Sequence, residues 1–130
     1  MPAVNWLAVI AAAIGMFAVG AVWYAPPVFG RKWMEINGFK DTDQRPNVPV
    51  LFGTVFVLTL LMAANLAYFT APLGFGPTVA AAIATGLGFV AFSLSIVALF
   101  ERRPLAYHLI NGGYLTVGFA AMGLILAVWK

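Results

Sequence analysis

Four unbroken apolar runs divide the chain, and short polar stretches separate them. They cover Ala3–Ala25, Val48–Ala71, Thr78–Phe100 and Leu105–Trp129. None contains a charged side chain, and each exceeds the roughly 20 residues that a helix needs to cross about 30 Å of hydrocarbon. A membrane β-strand would alternate apolar and polar positions over about 10 residues, which these runs do not do. The pattern predicts an all-α integral membrane protein: one domain over residues 1–130, folded as a four-transmembrane-helix bundle.

The breakers fall between the runs. Pro26-Pro27 stops the first helix, since neither residue can donate a backbone hydrogen bond. Asn47 caps the second, with Pro49 tolerated in its first turn. Residues 72–77, PLGFGP, form a tight uncharged turn, and Pro104 opens the fourth helix. The first loop carries its own period. Phe29, Trp33 and Ile36 recur at i, i+4 and i+7, with Arg31, Lys32 and Glu35 on the other side. This predicts a short amphipathic helix over residues 29–38, ended by Asn37-Gly38 and lying in the headgroup layer. Arg31, Lys32, Trp33, Arg102 and Arg103 are the expected contacts with lipid headgroups, and membrane lipids the expected surroundings.

Composition agrees. Of the residues, 63% are hydrophobic and 8% charged, against about 25% charged in an ordinary soluble domain, too few to cover a water-facing surface. There is no cysteine, which excludes disulfides and thiolate chemistry. The net charge of +3 comes from bases in loops, a topology signal and not a nucleic-acid patch. Arg31, Lys32, Lys40 and Arg45 lie in loop 26–47 and Arg102 and Arg103 in loop 101–104, while Lys130 alone lies on the opposite side. The excess puts both loops in the cytoplasm and both termini outside. Residues 1–12 lack lysine and arginine, so the first run is expected to be a retained span and not a cleaved leader.

Small residues give the spans close-packing faces: Ala8, Ala12 and Gly20 on the first; Ala81, Thr85 and Gly88 on the third, with Ala82 and Gly86 beside them; Gly112, Gly113, Gly118 and Gly123 on the fourth. Asn5, Asn65 and Tyr68 lie towards one end of the bundle, where the two amides are expected to bond to each other or to Tyr68 as a packing clasp. An echo also runs through the first and fourth spans: Asn5 precedes an Ala-Val-Trp by the same spacing as Asn111 does. Alanine and valine are so common here that it is assigned to chance.

The chain's one histidine lies in ERRPLAYHLIN, residues 101–111. Tyr107, Asn111, Tyr114 and Gly118 share one face of the fourth helix, and His108 adjoins it. His108 and Asn111 fall roughly 6–10 Å along the helix from Pro104, where water still reaches. Glu101, Tyr107, His108, Asn111 and Tyr114 are therefore the candidate functional face, because an ionisable group at membrane depth marks a functional candidate. The bland alternative is local: His108 donates to Tyr107, a carbonyl or a headgroup, and Glu101 pairs with Arg102 or Arg103.

Three patches carry a family resemblance: Asn5-Trp6-Leu7-Ala8-Val9; residues 23–34, WYAPPVFGRKWM, continuing to Asn37-Gly38; and residues 101–114, from Glu101-Arg102-Arg103-Pro104 to Asn111-Gly112-Gly113-Tyr114, running on to Ala127-Val128-Trp129. Together they resemble the DUF1761 family, small four-span bacterial membrane proteins of unknown function. Members often read E-G-R-P where this chain has Glu101-Arg102-Arg103-Pro104, and N-A-G-Y where it has Asn111-Gly112-Gly113-Tyr114. The resemblance implies a multi-pass protein of the bacterial inner membrane. It supplies no substrate, cofactor or catalytic residue.

The reading that fits best is a non-catalytic membrane protein acting by helix packing, as a homo-oligomer or as an accessory subunit of a larger membrane complex. No cofactor, metal, catalytic residue or nucleic-acid partner is expected. The alternative is an oligomeric small-solute channel or transporter using the Tyr107, His108, Asn111 and Tyr114 face. Proton coupling is disfavoured, because all four acidic residues lie in loops. Catalysis is disfavoured too: Glu101 and His108 would stand about 10 Å apart even on a continuous helix.

Overall fold

The computed structural model describes residues 3–38 and 47–130. Its elements are α1 (Trp6–Trp23), a π-helical turn (Pro26–Gly30) leading into α2 (Arg31–Asn37), α3 (Val48–Thr70), α4 (Phe75–Ile83), a π-helical segment (Ala84–Ala91) leading into α5 (Phe92–Phe100), and α6 (Leu105–Val128). Among the described residues four helices are long and apolar enough to cross a membrane: α1, α3, the continuous Phe75–Phe100 rod, and α6. The protein is thus an all-α, multi-pass membrane bundle. Lys40 and Arg45, counted in the charge asymmetry, lie outside the described residues.

The helix ends follow the capping chemistry. Asn5 caps α1, its Oδ1 accepting from the Ala8 N–H at 3.2 Å, so the helix begins later than the apolar run. Asn47 caps α3 in the same way, accepting from the Val50 N–H at 3.3 Å, with Pro49 in the first turn. The third span starts at Phe75 and not at Thr78. Pro77 falls in its first turn, where an N–H would have no helical acceptor, so the proline ends nothing. Pro26 and Pro27 likewise separate two helical elements and also open the second of them.

The spans are not equivalent. α6 packs along α1 on one side and along the third span on the other, while α3 packs chiefly on α1 and also touches α4 and α6. The core joins Ala8, Ala12 and Met16 of α1, Ala63 and Leu66 of α3, Ala82 of α4, and Phe119, Met122 and Leu126 of α6. Lipid tails are as apolar as these side chains, so dispersion from close approach holds the helices together. Gly123 shows how close that approach is: a Cβ there would fall 2.2 Å from the Ala82 Cβ. In the π-helical segment a Cβ on Gly86 would fall 2.6 Å from the Phe119 Cβ, so α6 fits against the third span where its turn is widened. The perimeter is apolar and exposed, with Phe69, Phe89, Phe100 and Leu109 pointing away from the core.

Candidate functional site

The candidate residues gather at the end of the bundle where α1 passes into α2 and α6 begins. Residues 101–104 shape the entry. α5 closes with the Arg102 N–H donating to the Leu99 carbonyl (3.1 Å) and the Arg103 N–H to the Ala98 carbonyl (3.0 Å). This is the double bond of a Schellman helix end, which needs its turning residue in the left-handed region. That residue is Arg102, with φ 59°. Members of the family the sequence resembles often have glycine at this position, and the backbone supplies the reason: glycine adopts this φ without the Cβ clash that arginine meets.

Arg103 is turned inward from this loop. Its guanidinium lies over the Tyr107 ring, 5.1 Å from the centroid, and its Nε stands 3.9 Å from Glu101 Oε1. That nitrogen is enclosed and takes no hydrogen bond among the described residues. Arg102 is exposed. His108 is half-buried, its ring edge-on to Tyr107 at 6.2 Å. Glu101 and His108 stand on different elements, since α5 ends at Phe100 and α6 begins at Leu105.

Deeper along α6 the face turns onto α1. Tyr24 Oη donates to Asn111 Oδ1 at 2.5 Å. The Trp23 indole N–H donates to the Ile110 carbonyl at 2.8 Å. Tyr24 also meets Tyr114 edge-on at 5.3 Å, and Gly20 and Gly118 make room for Tyr114 and Met16. Tyr107 and His108 thus stand at the mouth of the face, and Asn111 and Tyr114 are closed against α1. The two glycines of Asn111-Gly112-Gly113-Tyr114 differ in kind. A Cβ at 113 would fall 2.8 Å from the Trp23 ring, whereas one at 112 would meet Ala91 at an ordinary 3.6 Å. An alanine fits at 112, as in N-A-G-Y, and not at 113.

The short helix completes the junction. Phe29 of the π-helical turn lies against Trp23 at 4.9 Å and Trp33 of α2 edge-on to Tyr24 at 5.9 Å, so the apolar side of this turn and helix docks on the end of α1. Arg31, Lys32 and Glu35 are exposed, with a 3.9 Å Lys32–Glu35 pair that contributes little in water. Gly30 is buried at the joint, where a Cβ would fall 2.3 Å from the Tyr24 carbonyl oxygen. Gly38 ends α2 in the left-handed region, φ 72°.

At the opposite end, Asn5 Nδ2 donates to the Trp129 carbonyl at 3.3 Å, and the Lys130 ammonium donates to the Thr70 carbonyl. These residues border a cavity of about 110 Å³ lined also by Val4, Ala67 and Leu126. Partial burial lowers the Lys130 pKa. Asn5 spends its amide on Trp129 and Ala8, while Asn65 and Tyr68 are exposed on the outer side of α3.

Trp23 and Tyr24 are absent from the candidate face read from the sequence, where they appear only within the patch 23–34. The two asparagine–tryptophan spacings nevertheless lie side by side in the structure. Asn5 precedes Trp23, and Asn111 precedes Trp129, by eighteen positions, about 27 Å of helix. Because the helices are antiparallel neighbours, Asn111 meets the Trp23-Tyr24 end of α1 and Asn5 meets Trp129. Both ends of the central pair are clasped.

The family model described as "Protein of unknown function (DUF1761)" matches residues 7–127. No curated protein and no solved structure matches the chain.

Proposed function

This chain belongs to the DUF1761 family, and we propose that it acts by helix packing, as a non-catalytic membrane protein that self-associates or serves as an accessory subunit of a larger membrane complex. One observation carries this reading. The inner part of the candidate polar face is closed inside the bundle: Asn111 is taken by Tyr24, and Tyr114 is set between Tyr24 and Gly20. A solute pathway needs unspent polar groups along a lumen, and here aromatic rings fill that position. Arg103, the charge nearest the face, is committed to Tyr107 and Glu101.

The protein sits in the bacterial inner membrane with both termini outside, on the lysine and arginine asymmetry of its loops. The chain has no native cysteine, so Lys32→Cys and Lys130→Cys can be labelled singly with an impermeant maleimide in intact cells. Labelling of Lys130→Cys alone supports this orientation; labelling of Lys32→Cys alone reverses it. Extraction in mild detergent tests the function. Recovery of a stoichiometric homo-oligomer or larger complex supports the reading, and a lone monomer in a native-lipid nanodisc defeats it. Liposome flux that vanishes in His108→Ala and Asn111→Ala would favour a channel instead.

A further inference from the structure

The bundle perimeter carries a carboxamide among its apolar side chains. Asn65 is exposed on α3, five residues before the helix ends at Thr70, so roughly 8 Å inside that end. It does not stand alone. Leu51, Thr54, Leu58, Leu61, Asn65 and Tyr68 follow one another at alternating steps of three and four, and all six are exposed. That is the 3.5-residue repeat of a helix-pairing seam. The side of α3 that packs on the rest of the bundle is a different one, carried by Thr59, Ala63, Leu66 and Thr70. Thr54 returns its hydroxyl to the Val50 carbonyl at 2.7 Å, and the Asn65 carboxamide stands further along the seam beside Tyr68.

We infer that a second copy of this chain docks along the seam, with Asn65 of each copy hydrogen-bonded to Asn65 of the other. Two arguments select a second copy as the occupant. A carboxamide has both donor and acceptor, so it is complementary to itself. Copies inserted with the same topology pair about an axis along the membrane normal, which brings α3 against α3 in parallel and position 65 to position 65 at equal depth. An asparagine in such a seam fixes register and partner number, while leucines above and below supply the packing. The inference rests on the proposed packing function and names its surface.

The test uses the full chain in liposomes. Leu58→Cys and Leu61→Cys place single thiols on the seam, and Phe89→Cys places one on the exposed side of the third span. Oxidation is expected to give disulfide dimers at the seam positions and none at Phe89→Cys. Energy transfer between labelled chains, diluted into lipid, is expected to show Asn65→Leu weakening association about 3- to 30-fold, with Asn65→Gln retaining most of it. These variants leave the core untouched, so circular dichroism should match the parent. Dimers at Phe89→Cys with a silent seam, or association unchanged in Asn65→Leu, overturn this surface and leave the packing function standing. Loss of a different copurifying polypeptide in Asn65→Leu overturns the second copy as occupant, again leaving that function. Monomers throughout, with nothing copurifying, overturn both.

Discussion

The contact between Gly123 and Ala82 gives a quantitative test of how this bundle is held together. A methyl added at Gly123 would stand 2.2 Å from the Ala82 Cβ, against the 3.5–4.0 Å of a relaxed carbon contact. Neither atom can turn aside, because both are fixed to helix backbone, so α4 and α6 must separate. Overpacking of this kind costs about 1–3 kcal/mol, and replacing glycine by alanine in a helix returns at most about 1 kcal/mol. Ala82→Gly alone loses that same propensity and a methyl contact, for about 1 kcal/mol or slightly more. The double variant differs from both. With Ala82 reduced to glycine, the nearest atoms to the new methyl are the Cα of residue 82 and the Thr78 carbonyl oxygen, each at an ordinary 3.7 Å. The methyl has moved from one helix to the other, and the propensity changes cancel. The double variant should therefore fall within about 0.5 kcal/mol of the parent, with a coupling of about 1–3 kcal/mol between the sites. Reversible SDS titration in mixed micelles, followed by tryptophan fluorescence, measures all four corners of the cycle. Additive losses in the double variant would refute direct backbone-limited packing of these helices.

Tyr24→Phe removes the hydrogen bond to Asn111 but keeps the ring stacking, so the same titration should show a loss of about 0.6–2 kcal/mol. Asn111→Leu should add little further loss on top of Tyr24→Phe, since both delete one bond. Arg102→Gly should stabilise the bundle by about 1 kcal/mol, because it relieves a left-handed arginine while leaving the inward Arg103 in place; an unchanged or lowered midpoint would contradict it. Gly30→Ala should lift α2 off the end of α1 at a cost of about 1–3 kcal/mol, read as greater quenching of Trp33 by an aqueous quencher.

Much of the fold was legible because the solvent is oil. A span needs about 20 apolar residues whatever it packs against, and Val48–Thr70 and Leu105–Val128 match the apolar runs within a residue or so at each end. Asn47, Pro49 and Gly38 could be placed from capping chemistry alone, since a cap answers only to its own helix. The outer limits of the first and third spans were less legible. Ala3 to Asn5 are apolar enough to pass as helix, and Pro77 reads as a stop until its place in the first turn is known.

The candidate site was legible in its residue types and not in its partners. Asn111 and Tyr114 were visible as a face, because helical periodicity is a local property. What that face met was decided by which spans became neighbours, and the apolar runs are interchangeable in that respect. Only the antiparallel contact of α1 with α6 turns Trp23 and Tyr24 towards that face and closes it. The sequence by itself determined the environment, the number of crossings and the interfacial helix, for each follows from hydrophobicity and backbone chemistry within one segment. The tertiary structure decided that Gly113 is strict while Gly112 is permissive, that Asn5 turns inward while Asn65 turns out, and that Arg103 is folded over Tyr107 while Arg102 is not. Those outcomes depend on distances of a few ångströms between segments far apart in the chain, and no local pattern encodes them.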